Sequence, residues 1–154
     1  MSRALLQNVY LFKSLTNQEL DAVSRLAETQ RFNIGETIFL KGEPAKAMYF
    51  IKSGTVRIQQ SIKSGDNVTV ATLSAGSHFG EMAFVDGEPR SATAEAAEAV
   101  ELVALPYEKL ADLMDENPLV AVKFYRELSW FLCGRLRVTT SDLNFAREKN
   151  LTHF

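Results

Sequence analysis

Between Phe32 and Pro106 the chain is cut into short apolar or alternating segments by glycine-bearing turns. The segments read as Thr37–Leu40, Ala47–Ile51, Thr55–Gln60, Val68–Leu73, Ser91–Ala96 and Val100–Leu105. The breaks between them include "KGEP", "KSG", "KSGDN" and "LSAGS". Segments this short do not sustain helical periodicity, and turns this regular predict an antiparallel sandwich or barrel.

Helical patterns lie on both sides. In "SLTNQELDAVSRLAET" Thr16 and Glu19 have capping-box spacing, Leu15 and Leu20 can form a hydrophobic staple, and Leu20, Val23 and Ala27 recur at helical spacing. After Pro106, Tyr107, Leu110, Leu113 and Met114 share one face. Asn117 is a good N-cap and Pro118 a good first helical residue, and the helix they open can reach Asn144 or beyond. It carries two apolar stripes. One is Phe124, Leu128, Phe131 and Val138. The other is Tyr125, Leu132, Leu136 and Leu143, interrupted by Ser129 and Thr139. One stripe docks a helix on a barrel. The second implies either another surface, such as the same helix of a second subunit, or packing inside one monomer.

The expectation is one mainly β, α+β domain over residues 1–154. A helix covers about 16–29, a β-barrel or jelly roll about 31–105, and C-terminal helices about 107–146.

Composition narrows the function classes. Hydrophobic residues make up 46%, so a core is available. Seventeen basic and 19 acidic residues leave a net charge of −2, which gives no electrostatic reason for a nucleic acid or an anionic membrane as partner. Cys133 is the sole cysteine, so no internal disulfide forms and a cytoplasmic setting fits. No apolar run is long enough for a signal peptide's core or a membrane span.

The stretch "FGEMAFVDGEPRSATAEA" carries the chemistry. Gly80 precedes Glu81-Met82-Ala83-Phe84, a candidate for one short helical turn whose first amides lack internal partners and suit an anion. Asp86-Gly87-Glu88-Pro89 reverses the chain and delivers Arg90, whose fork suits a phosphate. Ser91 and Thr93 alternate with Ala92 and Ala94, supplying hydroxyls and leaving room. Glu81 repels phosphate, so its place there makes sense only if it accepts from another part of the ligand, such as a sugar hydroxyl. A phosphate and a sugar hydroxyl close together describe a nucleotide. The plainer alternative is a solvated surface glutamate and arginine.

Phe79-Gly80-Glu81-Met82-Ala83-Phe84, followed by Pro89-Arg90-Ser91-Ala92-Thr93-Ala94, resembles the phosphate-binding cassette of the cyclic nucleotide-binding domain family. That family holds the bacterial catabolite activators and the regulatory subunits of cyclic AMP-dependent kinases. Met82, Phe84 and Ala94 depart conservatively from its usual pattern. "GEPAKAMYFIKSGTVRI" resembles the family's hairpin and "RELSWFLCGRLRVTTSDL" its long C-terminal helix. The resemblance implies that Glu81 holds the ribose 2′-hydroxyl and Arg90 the cyclic phosphate. The amides near Met82 and Ala83 would support the phosphate, and Ser91 would touch phosphate or base. Arg135, Leu136, Thr139 and Thr140 are its candidates for a lid over the base. The ligand implied is cyclic AMP rather than cyclic GMP, with no further cofactor.

The same resemblance implies a regulatory module, not an enzyme, acting through the C-terminal helix on a protein partner in trans. No helix-turn-helix reader fits between that helix and Phe154, so no nucleic-acid partner is expected; a sensor that stands alone and a domain from a longer protein both remain open. A cupin-type metal site would need clustered histidines, and only His78 and His153 occur, far apart. His78 reads as a strand or turn residue, Cys133 as packed, and Trp130 as a core or subunit contact. The competing reading is a scaffold that keeps this fold, dimerises and binds nothing.

Overall fold

The computed structural model describes residues 2–151, with side chains over residues 3–147; His153 lies outside them. Helix α1 (Ser2–Gln7), a 3₁₀ turn (Tyr10–Phe12) and α2 (Asn17–Ser24) precede the strands β1 (Glu28–Phe32), β2 (Thr37–Phe39), β3 (Ala47–Ser53), β4 (Val56–Ser61), β5 (Asn67–Leu73) and β6 (His78–Phe79). Then come α3 (Met82–Asp86), β7 (Thr93–Ala96), β8 (Val100–Pro106), α4 (Tyr107–Glu116) and α5 (Pro118–Leu151). The strands form two four-stranded antiparallel sheets, ordered β1-β8-β3-β6 and β2-β7-β4-β5. They remain open sheets, so the architecture is a jelly-roll sandwich and not a closed barrel.

Two strands show why the sequence alternates in some places and runs apolar in others. β3 is buried along Ala47–Ile51 because both its faces are covered. Ala47, Tyr49 and Ile51 face the other sheet, where they meet Val56, Ala94 and Ala96, with Phe79 of the neighbouring β6 beside them. Met48 and Phe50 face the helices, where they meet Phe12, Leu20, Leu110 and Phe124. β8 divides in the same way, with Leu102 and Ala104 toward the sandwich and Val103 and Leu105 toward the helices. A strand between two apolar layers has no polar face to show. β5, at an edge, is mostly exposed. The turn from β3 to β4 needs Gly54: its φ is +90°, and an added Cβ would sit 2.3 Å from the Ala99 carbonyl oxygen.

The capping box is present. Thr16 Oγ1 accepts from the Glu19 amide and the Glu19 carboxylate accepts from the Thr16 amide. The helix it opens stops at Ser24, short of the expected 29. Residues 28–32 pair with Ala104–Val100 of β8, and that ladder overrides the helical propensity of the "RLAE" stretch. β7 begins at Thr93 and not Ser91, β4 at Val56 and not Thr55, and β5 at Asn67. Leu6, Leu11 and Phe12 anchor the N-terminal segment in the helical layer, a contribution that the sequence pattern did not announce.

On α5, Val120, Phe124 and Leu128 are buried at four-residue spacing. Tyr125, of the second stripe, is exposed beside the buried Phe124, and farther along the helix exposure follows position more than face. Phe131 and Leu132 are half-buried, whereas residues 133–147 are all exposed, Leu136, Val138 and Leu143 among them. One expectation of packing is corrected. Cys133 is exposed. Trp130 is 67% exposed, with the Tyr10 ring 5.3 Å away between centroids and Lys13 Nζ 5.9 Å from its centroid, so it is not a core residue. Both sit where α5 leaves the body of the domain. Among the described residues no helix is long and apolar enough to cross a membrane.

Candidate functional site

The polypeptide around α3 is held by its own turns. Gly80 follows β6 with φ +78°, and Cβ at that position would stand 2.8 Å from Arg90 Nη1. Asp86 Oδ1 accepts from the Glu88 amide at 2.9 Å, which closes the reversal before Pro89. The backbone of Arg90 is then clamped to the "KGEP" turn: its N–H donates to Glu43 O at 2.9 Å, and its carbonyl accepts from Gly42 N–H at 2.8 Å. Two turns distant in sequence therefore fix where the Arg90 side chain begins.

That side chain is only 6% exposed. Nη2 donates to Ala47 O at 2.6 Å. Nη1 donates to Gly80 O and to the Tyr107 hydroxyl, each at 3.2 Å, and that hydroxyl in turn donates to Gly80 O. The guanidinium lies 4.0 Å over the Phe39 ring. These three bonds use at most three of the five guanidinium donors. Nε has no acceptor among the described residues. Burial pushes the phenols of Tyr49 and Tyr107 up, with the Arg90 charge opposing it, so both are neutral donors at ordinary pH.

Glu81 is 1% exposed. Its Oε1 stands 3.5 Å from His78 Nδ1 and 3.6 Å from Arg135 Nη1, ion-pair distances at which neither contact is a hydrogen bond, and Oε1 has no hydrogen-bond donor among the described residues. Burial pushes the Glu81 carboxyl up, but His78, the Glu81 backbone and Arg135 together outweigh it and hold the group below the ordinary carboxylate range. The site therefore presents an ionised acceptor and a cationic donor, each short of a partner.

Both face one cavity of about 620 Å³, lined also by Gly80, Met82, Ala83 and Ser91. Its far wall is apolar, with Ile58 on β4 and Val70 and Leu73 on β5. From α5 come Leu132, Arg135, Leu136 and Thr139. Two expected residues are not among the lining. Thr93 Oγ1 instead accepts from the Lys41 amide at 3.0 Å, and Thr140 is exposed one position beyond Thr139. Sequence reasoning missed Gln60, whose side chain donates to Ser91 O at 2.7 Å and accepts from Lys41 Nζ at 3.1 Å. Ile58 and Gln60 stand two apart on one strand, a period-two signal that places both on the cavity face. His78 was also missed as a neighbour of Glu81, three positions away. Chemically, the arrangement suits a ligand with an anionic group, a hydroxyl to donate, and a flat apolar part for the β4–β5 wall.

The family model of the cyclic nucleotide-binding domain matches residues 29–117. The chain belongs to that family. The cyclic nucleotide-binding domain seen here is 35% identical over 134 residues to the cyclic AMP receptor protein of Thermus thermophilus, spanning 87% of this chain and 60% of that one. It superposes on the crystal structure of the Thermus thermophilus catabolite activator protein with a TM-score of 0.77, at 34% identity, over 88% of this chain and 62% of that one. The cAMP-dependent protein kinase regulatory subunit of Debaryomyces hansenii is 33% identical over 105 residues, 68% of this chain and 22% of that one. The chain thus spans less than two-thirds of these relatives.

Proposed function

We propose that this domain binds a cyclic nucleotide, cyclic AMP in preference to cyclic GMP, and reports its presence through α5 to a protein partner in trans. The observation that carries the reading is a pair of unsatisfied buried atoms in one cavity, Arg90 Nε and Glu81 Oε1. A buried polar atom without a partner is costly, and a cyclic phosphodiester with its neighbouring 2′-hydroxyl supplies one acceptor and one donor. The Met82 and Ala83 amides, at the start of a helical turn, are further donors for the phosphate. The preference for cyclic AMP is supported by the names of the two relatives above. Ser91, a hydroxyl beside Arg90, does not decide between the bases.

Arg135 links the cavity to the output. It reaches Glu81 from α5, so a sugar hydroxyl arriving at Glu81 meets an existing α5 contact. Differential affinity for two α5 positions follows from that competition. The exposed apolar residues Leu136, Val138 and Leu143 are the surface we assign to a partner, a second copy of this chain being the simplest. The exposed Cys133 thiol fits a reducing, cytoplasmic setting.

Calorimetric titration with cyclic AMP and cyclic GMP tests the reading. Saturable binding, tighter for cyclic AMP, is expected. No binding of either would leave the scaffold reading in its place. Hydrogen exchange across residues 118–143 tests the output, with unaltered protection on adding nucleotide counting against it. Light scattering determines whether a second copy covers α5.

A further inference from the structure

One buried titratable side chain has no part in the reading above. His78 lies on β6 with its side chain 7% exposed, its ring 4.6 Å from Phe131 of α5 and 6.1 Å from Phe50 of β3. Nδ1 has no hydrogen-bond partner among the described residues and stands 3.5 Å from the Glu81 carboxylate. An imidazole between two aromatic rings gains packing, but packing alone does not call for a nitrogen there. Phenylalanine packs as well and leaves no polar atom stranded.

We infer that His78 positions Glu81 for the ligand and, when protonated, offsets the Glu81 charge as an anion enters, so that nucleotide affinity falls as pH rises. This rests on the cyclic nucleotide reading of the site. The charges that face His78 are few. Glu81 comes from the segment after β6, and Arg135 comes from α5 through its contact with the same Oε1. Phe50 and Phe131 bring none. Glu81 is held ionised across the neutral range, whereas imidazole is the side chain whose charge ordinarily changes between about pH 5 and 8.

The sign follows from the ligand's charge. A phosphodiester anion placed in the same cavity as Glu81 is repelled by that carboxylate. An imidazolium beside Glu81 weakens the repulsion, and a neutral imidazole does not. The bound anion therefore favours protonated His78, binding takes up protons, and the dissociation constant rises with pH.

Calorimetric titration of the unmodified chain with cyclic AMP between pH 5.5 and 8.0, in buffers of different ionisation enthalpy, reads both consequences. The expected result is a weakening of about threefold to tenfold across that span, with proton uptake on binding. His78→Asn keeps a donor near the place of Nδ1 but does not titrate, and should bind with a flat profile and no uptake. His78→Phe keeps the packing, loses the donor, and should be flat and weaker. Binding by the unmodified chain without pH dependence overturns the inference and leaves the nucleotide reading standing, as does a slope that survives in both variants. Absence of binding at every pH overturns both. Should neither variant fold, the imidazole resonances of the two histidines decide, with His153→Ala assigning them. An upward move of the His78 titration on adding cyclic AMP supports the inference, and an unmoved one overturns it.

Discussion

The guanidinium of Arg90 is fastened to the carbonyl of Ala47, 43 positions earlier in the chain, by a hydrogen bond of 2.6 Å. The residue assigned to the phosphate is therefore also a tie between the cassette and the start of β3. Arg90→Ala should weaken cyclic AMP binding by about 2–5 kcal/mol, some 30-fold to several thousand-fold. It should also cost about 1–3 kcal/mol of stability, because the Ala47 and Gly80 carbonyls lose a buried donor. Titration and urea unfolding read the two effects separately. Arg90→Lys keeps the charge but not the fork, and should fall between the variant and the unmodified chain. Full affinity in Arg90→Ala would remove its assigned role.

Gly80 and Gly134 give a matched pair. Gly80 has φ +78° and would press a Cβ to 2.8 Å from Arg90 Nη1, whereas Cβ at Gly134, in α5, meets nothing within 4 Å. Gly80→Ala should destabilise by about 1–3 kcal/mol and weaken binding through the displaced guanidinium. Gly134→Ala should stabilise by up to about 1 kcal/mol, since alanine is the better helix former. Denaturant midpoints of both variants check the contrast, and equal midpoints would refute it.

Glu19 serves the α2 cap and also meets Lys123 Nζ of α5 at 2.6 Å. The Lys123 bond first, and the Thr16 amide next, hold its carboxyl below the ordinary value of 4.5. A carboxyl depressed by folding stabilises the native state above its unfolded value, and that contribution disappears as pH falls through the lower folded value. Glu19→Gln should be less stable by about 1 kcal/mol near neutrality. Its deficit should shrink as pH falls below 4.5. Thermal melts of the two proteins from pH 7 to pH 3 test this, and a deficit that stays constant would contradict it.

Phe124 is fully buried where α5 meets the 3₁₀ turn and α3, its ring 5.8 Å from both Phe12 and Phe84. Phe124→Ala should cost about 3–5 kcal/mol in denaturant unfolding. A loss under 1 kcal/mol would show that α5 is held mainly elsewhere.

Legibility in the sequence followed the range of the forces. Thr16 and Glu19 are three residues apart and their capping box was readable, as was the helix start at Asn117-Pro118. The reversal at residues 86–89 was readable for the same reason. β1 was hidden because its partner is β8, some seventy residues later, and no local pattern at Glu28 or Thr29 speaks against helix. β6 is two residues long and is a strand only because Tyr49 and Phe50 lie beside it. At the site, Gly80, Glu81 and Arg90 stood out as motif residues. Gln60 and His78 did not, because their place beside Ser91 and Glu81 comes from packing across the sheet and the cassette. Of the two readings of Trp130, core residue and subunit contact, the core one fails because this helix outruns the body it packs on.

That overrun has a mechanical consequence. An α-helix rises about 1.5 Å per residue, so the stretch from Arg135 to Arg147 is a rod of roughly 18 Å. Pivoting such a rod by about 10° at its base sweeps the tip through about 3 Å, enough to change which side chains touch at a neighbouring surface. A shift of a few tenths of an ångström at the Glu81–Arg135 contact is in this way amplified by leverage alone.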